Sequence, residues 1–156
     1  MARLKFYAEY EIDPETTAKA MASELHISPK HAYELCRAVK GRRVEDAEEF
    51  LIKVLNMKVA VPFKRYKKKV AHRRGLKKWY AGRYPMTATS EILKLIQGAK
   101  SNAEYKGLDL EALRIWRATT KKGRTIHGIM PRAFGRATSR DTETVTVEIV
   151  LREERG

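Results

Sequence analysis

Twenty-nine consecutive residues, Ala112 to Arg140, contain no Asp or Glu, and this limits what the chain can fold into more than any other feature. The same stretch holds Arg114, Arg117, Lys121, Lys122, Arg124, Arg132, Arg136 and Arg140, threaded through Gly and Pro. A run of one charge sign repels itself in water, so an ordered segment of this kind needs a polyanion around it. Nucleic acid is the expected polyanion. From Phe50 to Ser90 a second window carries twelve Lys or Arg and again no acid. The two windows hold twenty positive charges against a formal net charge of +14, which leaves the rest of the chain at −6. Basicity is therefore localised on an otherwise mildly acidic body.

The residues around these windows carry helical and strand periods. Leu4, Phe6, Ala8, Tyr10 and Ile12 alternate with polar neighbours as a strand or an extended arm would. Asp13-Pro14 is a good helix start, and Ala18, Met21, Ala22 and Leu25 follow at helical spacing, which predicts a short first helix. Ser28-Pro29 repeats the signal, and Ala32, Leu35, Cys36 and Val39 form a stripe that ends at Gly41. Glu45, Asp46, Glu48 and Glu49 crowd the start of a third helix, where carboxylates suit the positive end of the dipole, and Ala47, Leu51, Val54 and Leu55 give its apolar face. Val61-Pro62 stops that helix and opens a long irregular loop, 61–85. Thr87 then caps a helix through Tyr105, with Ile92, Leu93, Leu95, Ile96, Ala99 and Ala103 inside and Gly107 closing it.

The C-terminal third changes period. Val145, Val147, Ile149 and Leu151 alternate with Thr144, Thr146, Glu148 and Val150 as a half-buried strand, and Leu113, Ile115 and Trp116 begin its antiparallel partner. The acid-free window lies between them, so the simplest path is one hairpin over about 112–150 with its turn near Pro131 to Gly135. Arms of about 17 residues at ~3.3 Å each make a ribbon roughly 55 Å long, too long to lie on its own core. Such a ribbon, repelling itself, is expected to order only inside its partner. The fold class is α+β: helices packed on a small antiparallel sheet, with a long protruding β-hairpin and a basic irregular loop, in one domain over 1–156.

Chemistry-bearing motifs are scarce. Cys36 is the only cysteine, which excludes an intramolecular disulfide and a thiolate-rich zinc site and suits a small core residue. His26, His31, His72 and His127 show no metal-ligand spacing, so neither metal nor cofactor is expected. There is no GxxxxGK[ST] phosphate loop and no GxSxG elbow, and a helix N-terminus accounts for the clustered carboxylates. No catalytic residue emerges, and the chain is not expected to be an enzyme. No apolar run reaches the ~20 residues of a membrane helix, and MARLKFYAEY lacks the apolar core of a signal peptide, so the expectation is a cytoplasmic protein without membrane insertion.

The loop interleaves Phe63, Tyr66, Trp79, Tyr80 and Tyr84 with ten cations. Aromatic faces stack on unpaired bases while Lys and Arg neutralise phosphates, a mixture that suits folded RNA. Trp79 and Tyr84 fit equally well as anchors to the core. Arginine outnumbers lysine six to two in the hairpin window, and guanidinium is bidentate toward phosphate and able to stack. The candidate RNA-binding set is Lys64, Arg65, Lys67, Lys68, Lys69, His72, Arg73, Arg74, Lys77, Lys78 and Arg83 from the loop. Lys121, Lys122, Arg124, Arg132, Arg136 and Arg140 complete it from the hairpin.

Four segments, VPFKRY at Val61 to Tyr66, AGRYP at Ala81 to Pro85, SNAEYKGLD at Ser101 to Asp109 and PRAFGRAT at Pro131 to Thr138, occur in an order and spacing that resembles the universal large-subunit ribosomal protein twenty-two family. The long basic insert resembles the archaeal and eukaryotic branch, and the likeness runs from about Asp13 to Leu151. It implies a structural constituent of the large ribosomal subunit in the cytoplasm, with large-subunit ribosomal RNA, other large-subunit ribosomal proteins and the nascent polypeptide chain as partners. It also implies that the hairpin reaches through RNA to line the nascent-peptide tunnel, with Met130, Pro131, Arg132, Ala133, Phe134, Gly135, Arg136 and Ala137 at the tip. Phe134 stands where bacterial relatives often carry a basic or polar residue. Two rivals remain at this point. A free-standing nucleic-acid-binding regulator would need a self-sufficient reading element, and an RNA-modifying enzyme or nuclease would need carboxylates near the bound phosphates.

Overall fold

A computed structural model describes Phe6 and residues 13–154. The alternation predicted from Leu4 to Ile12 lies, apart from Phe6, outside the described residues. In chain order the elements are β1 (Thr17–Leu25), α1 (Pro29–Val39), α2 (Val44–Leu55), β2 (Val61–Pro62), β3 (Gly82–Arg83), α3 (Met86–Tyr105), β4 (Leu113–Ile126), β5 (Ile129–Pro131), a 3-10 turn (Ala133–Gly135), β6 (Ala137–Ser139) and β7 (Thr142–Glu153). β1, β7 and β4 form an antiparallel sheet with β7 in the middle.

The helices form where the 3.6 period predicted them. Leu35, Cys36 and Val39 of α1, Ala47, Leu51 and Val54 of α2, and Ile92, Ile96 and Ala99 of α3 share one buried core with Val145, Val147, Ile149 and Leu151 of β7. Gly41 ends α1 at φ 82, and its N–H donates to the Ile115 carbonyl at 2.8 Å. Only a residue tolerant of positive φ turns the chain there, which brings the α1–α2 corner onto the foot of β4.

Three expectations need correction. Helix α3 starts at Met86 with Pro85 at the N-cap position, so Thr87 lies within its first turn and does not cap it. The segment after Asp13-Pro14 is the strand β1, not a helix, and it pairs with β7 from Thr17↔Arg152 to Leu25↔Val145. Half of its helical stripe, Ala18 and Ala22, is alanine, which offers little apolar surface to bury, whereas the open side of β7 carries backbone groups that need partners. The outer side of β1 is partly satisfied by α3: the Asn102 amide donates to the Lys19 carbonyl at 3.0 Å, and the Lys106 ammonium donates to the carbonyls of Pro14 and Thr17 at 2.8 Å. The strand predicted as half-buried is buried on both faces, since Thr144, Thr146, Glu148 and Val150 are enclosed as fully as the residues between them. On its second face, Glu148 is covered by Thr119 and Lys121 of β4, which both donate to its carboxylate.

β4 and β7 stay paired from Leu113↔Glu153 out to Ile126↔Thr142, with register shifts between Ile115 and Arg117 and between Lys122 and Thr125. Gly123 lies in the second shift. A Cβ there would collide with the Thr144 hydroxyl and stand 3.2 Å from its carbonyl oxygen, and the same hydroxyl donates to the Arg124 carbonyl at 2.8 Å. Farther out, β5 and β6 pair from Ile129↔Ser139 to Pro131↔Ala137. The Arg132 N–H donates to the Arg136 carbonyl at 2.7 Å across the final turn, where Phe134 and Gly135 take φ values of 59 and 69.

Candidate nucleic-acid interface

The basic loop is irregular but fastened. β2 and β3 pair at its mouth, Val61↔Arg83 and Pro62↔Gly82, and a bridge joins His72 to Ala81. Phe63 is 2% exposed and inserts into the core beside His31, ring centroids 5.4 Å apart. Glu34 of α1, 1% exposed, accepts hydrogen bonds at one carboxylate oxygen from the N–H groups of Arg65 at 2.7 Å and Tyr66 at 2.8 Å. A buried carboxylate spent on two main-chain donors fixes the path of the chain at that point.

The aromatic residues divide their work. The Trp79 indole N–H donates to the Phe63 carbonyl at 2.9 Å, so Trp79 anchors the loop, and its ring stacks on Tyr80 at 5.2 Å. Tyr80 remains 44% exposed with His72 edge-on at 4.9 Å. Tyr84 is half-buried beneath the Arg73 guanidinium, 5.3 Å from its ring centre. Arg65 lies 5.0 Å over Tyr33, and a side-chain hydrogen bond with Tyr33 raises it above the ordinary guanidinium range.

All eleven loop residues of the candidate set, Lys64, Arg65, Lys67, Lys68, Lys69, His72, Arg73, Arg74, Lys77, Lys78 and Arg83, are exposed. Among the described residues none of them forms an ion pair with a carboxylate. Charges are thus concentrated on a surface whose backbone is already held.

Along the hairpin the cations nearer the body are not left unopposed, contrary to the expectation of a ribbon without acids around it. The acids missing from the sequence window are supplied by strands folded against it. Lys121 pairs with the buried Glu148 at 2.5 Å, Lys122 with Glu143 at 2.7 Å, Arg124 with Glu24 of β1 at 3.1 Å and Arg114 with Glu154 at 2.7 Å. His127 faces Asp141 at 3.1 Å. Beyond that contact, residues 131–140 are all exposed, and Arg132, Arg136 and Arg140 have no carboxylate partner among the described residues. Arg132 donates to the Thr138 hydroxyl at 3.3 Å. Met130 is half-buried, Phe134 is 94% exposed, and Pro131, Ala133, Gly135, Arg136 and Ala137 are open to solvent.

Sequence reasoning missed the face of α1 that meets the loop. Lys30, His31, Tyr33 and Glu34 fall outside both basic windows, yet the fold brings them to Phe63, Arg65, Tyr66 and Arg83. Burial, with the charge of Arg83 adding to it, lowers the His31 pKa below its usual 6.5. Only the lone acid Glu34 beside an apolar helical stripe hinted at such a partner. Cys36 is fully buried and its thiol is pushed up to about 12. Among the described residues no group of three or more His, Cys, Asp or Glu could hold a metal ion, and no helix is long and apolar enough to cross a membrane.

Comparison with known proteins adds two findings. The family model described as Ribosomal protein L22p/L17e matches residues 20–152, which include both basic windows. The chain is similar to proteins named "Large ribosomal subunit protein uL22". The one from Archaeoglobus fulgidus is 55% identical over 150 residues, covering 96% of each chain. That from Methanocella arvoryzae is 50% identical over 155 residues, covering 99% of this chain and all of the relative. That from Methanothrix thermoacetophila is 54% identical over 147 residues, covering 94% and 97%.

Proposed function

The chain belongs to the ribosomal protein L22p/L17e family, and from that premise we propose that it is a structural constituent of the large ribosomal subunit in the cytoplasm. Its work is to bind large-subunit ribosomal RNA through the basic loop and the outer hairpin, beside other large-subunit proteins, and it carries out no covalent chemistry. The observation that supports this most is the contrast in charge pairing: four hairpin cations nearer the body have carboxylate partners, whereas the loop cations and Arg132, Arg136 and Arg140 stand exposed without them among the described residues. Unpaired cations held on an ordered scaffold are what phosphate binding needs, since each contact releases condensed counterions.

The hairpin tip, Met130 to Ala137, lines the nascent-peptide exit tunnel, with Phe134 toward the lumen and Arg132 and Arg136 on RNA. Phe134 supports this placement: it is a large apolar side chain, 94% exposed, at the far end of a paired ribbon. The test is sedimentation of the full chain with large subunits through a high-salt wash, followed by photo-crosslinking from position 134 in subunits carrying a stalled nascent chain. Co-sedimentation and a crosslink to the nascent chain are expected. Loss of the protein from the subunit overturns the assignment, and crosslinks confined to the subunit exterior overturn the tunnel placement.

A further inference from the structure

Where the loop meets α1, a cavity of about 420 Å³ opens to solvent. Its walls include Lys30, His31, Arg65, Tyr66, Lys68 and Arg83, with Phe63 on the inner side. This volume falls within the ~300–1,000 Å³ range of small-ligand sites. Four of these side chains are cations, and among the described residues none has an ion-pair partner. The nearby acid, Glu34, spends one oxygen on the N–H groups of Arg65 and Tyr66, and so sets the wall without neutralising it by an ion pair. Tyr66 is held edge-on by Tyr33, ring centroids 5.7 Å apart, and His31 is braced in the same way by Phe63. The cavity therefore combines aromatic rings held by edge-on contacts with a rim of positive charge.

We propose that this cavity takes one unpaired nucleotide of an RNA strand, its phosphate among Lys30, Arg65, Lys68 and Arg83 and its base against Tyr66 and His31. The inference rests on the RNA-binding reading above and narrows it to one site. An inorganic anion would use the cations but not the rings. A paired nucleotide cannot enter, because its base is stacked inside a helix, whereas a base turned out of the stack presents a face to the aromatic wall and an edge to polar groups. His31 suits that wall as a neutral imidazole, which both donates and accepts.

The test uses the full chain with three probes: a hexauridylate carrying one 4-thiouridine, a fully paired RNA duplex, and inorganic phosphate as competitor. Irradiation should attach the hexamer to the peptide containing Tyr66. Tyr66→Ala should weaken hexamer binding about tenfold and leave duplex binding unchanged, with Tyr66→Phe restoring the wild-type value. Lys30→Ala and Lys68→Ala, at exposed positions that do not endanger folding, should each reduce the salt slope for the hexamer by roughly 0.7. Equal losses on hexamer and duplex, full displacement of the hexamer by millimolar phosphate, or crosslinks only to other peptides would overturn the assignment. If the wild-type chain binds neither RNA probe, the RNA-binding reading itself fails; if it binds both and the cavity variants change nothing, only the cavity assignment falls.

Discussion

The loop over 61–85 and the hairpin beyond Ile126 carry the same kind of charge excess and solve it in opposite ways. The loop has almost no regular structure, yet Phe63 and Glu34 fix it to the body, and Trp79 ties its far side back to the Phe63 carbonyl. The outer hairpin has regular pairing and a tight turn, but its side chains from Pro131 to Arg140 touch little beyond each other. Regular secondary structure and attachment to a core are therefore separate properties. The loop meets most of its ordering cost when the protein folds, so its cations face solvent in place. The outer hairpin has only its own ladder, and two-stranded ribbons are marginal alone in water.

Phe63→Ala strikes the loop side of this contrast hardest. Emptying a buried aromatic site at the loop mouth should lower stability by about 3–5 kcal/mol, read from denaturant unfolding of the free protein. An effect below about 1 kcal/mol would mean that the loop is not fastened through the core. Next comes Glu34→Ala, expected to cost about 2 kcal/mol because two partly buried N–H groups lose their charged acceptor. Amide exchange should accelerate at Arg65 and Tyr66 and stay unchanged in β5 and β6; acceleration in both regions would erase the distinction between them.

Gly123→Ala probes the other side. The added Cβ meets Thr144, so the ladder near the second register shift should loosen at a cost of about 1 kcal/mol, visible as faster exchange from Lys122 to Ile126 with the loop unaffected. The smallest expected effect is on pH dependence. The folded pKa of His31 lies below its unfolded value of 6.5, so the folded state disfavours the protonated ring. Its contribution to stability is complete above pH 6.5 and is lost as pH falls through the folded pKa. His31→Gln should flatten this part of the stability profile, and an unchanged slope between pH 7 and pH 5 would show that another group controls it.

Much of this architecture was legible because local period and burial agreed. Ala32, Leu35, Cys36 and Val39 predicted α1, and the alternation of Val145 to Leu151 predicted β7. β1 was misread because Asp13-Pro14 imitates a helix start and alanines satisfy either period; pairing with β7 decided the matter, and pairing is non-local. The same limit governs the interface. Runs of Lys and Arg are visible in the sequence, but the carboxylates that oppose them are not, so Glu24, Glu143 and Glu148 emerged as partners only once the strands were folded together. Glu34 and Lys30 joined the loop for the same reason.

The register shift around Gly123 has a mechanical meaning. β4 and β7 run unbroken from the sheet into the ribbon, so the ribbon is a lever whose short arm is embedded in the core. From Gly123 to the turn the chain spans roughly 30 Å at ~3.3 Å per residue. A change of about 10° in direction at the shift would then swing the turn by about 5 Å, more than the width of one base pair step. One glycine packed against Thr144 thus sets the aim of a side chain eleven residues away, and an insertion there would redirect Phe134 without altering a residue near it.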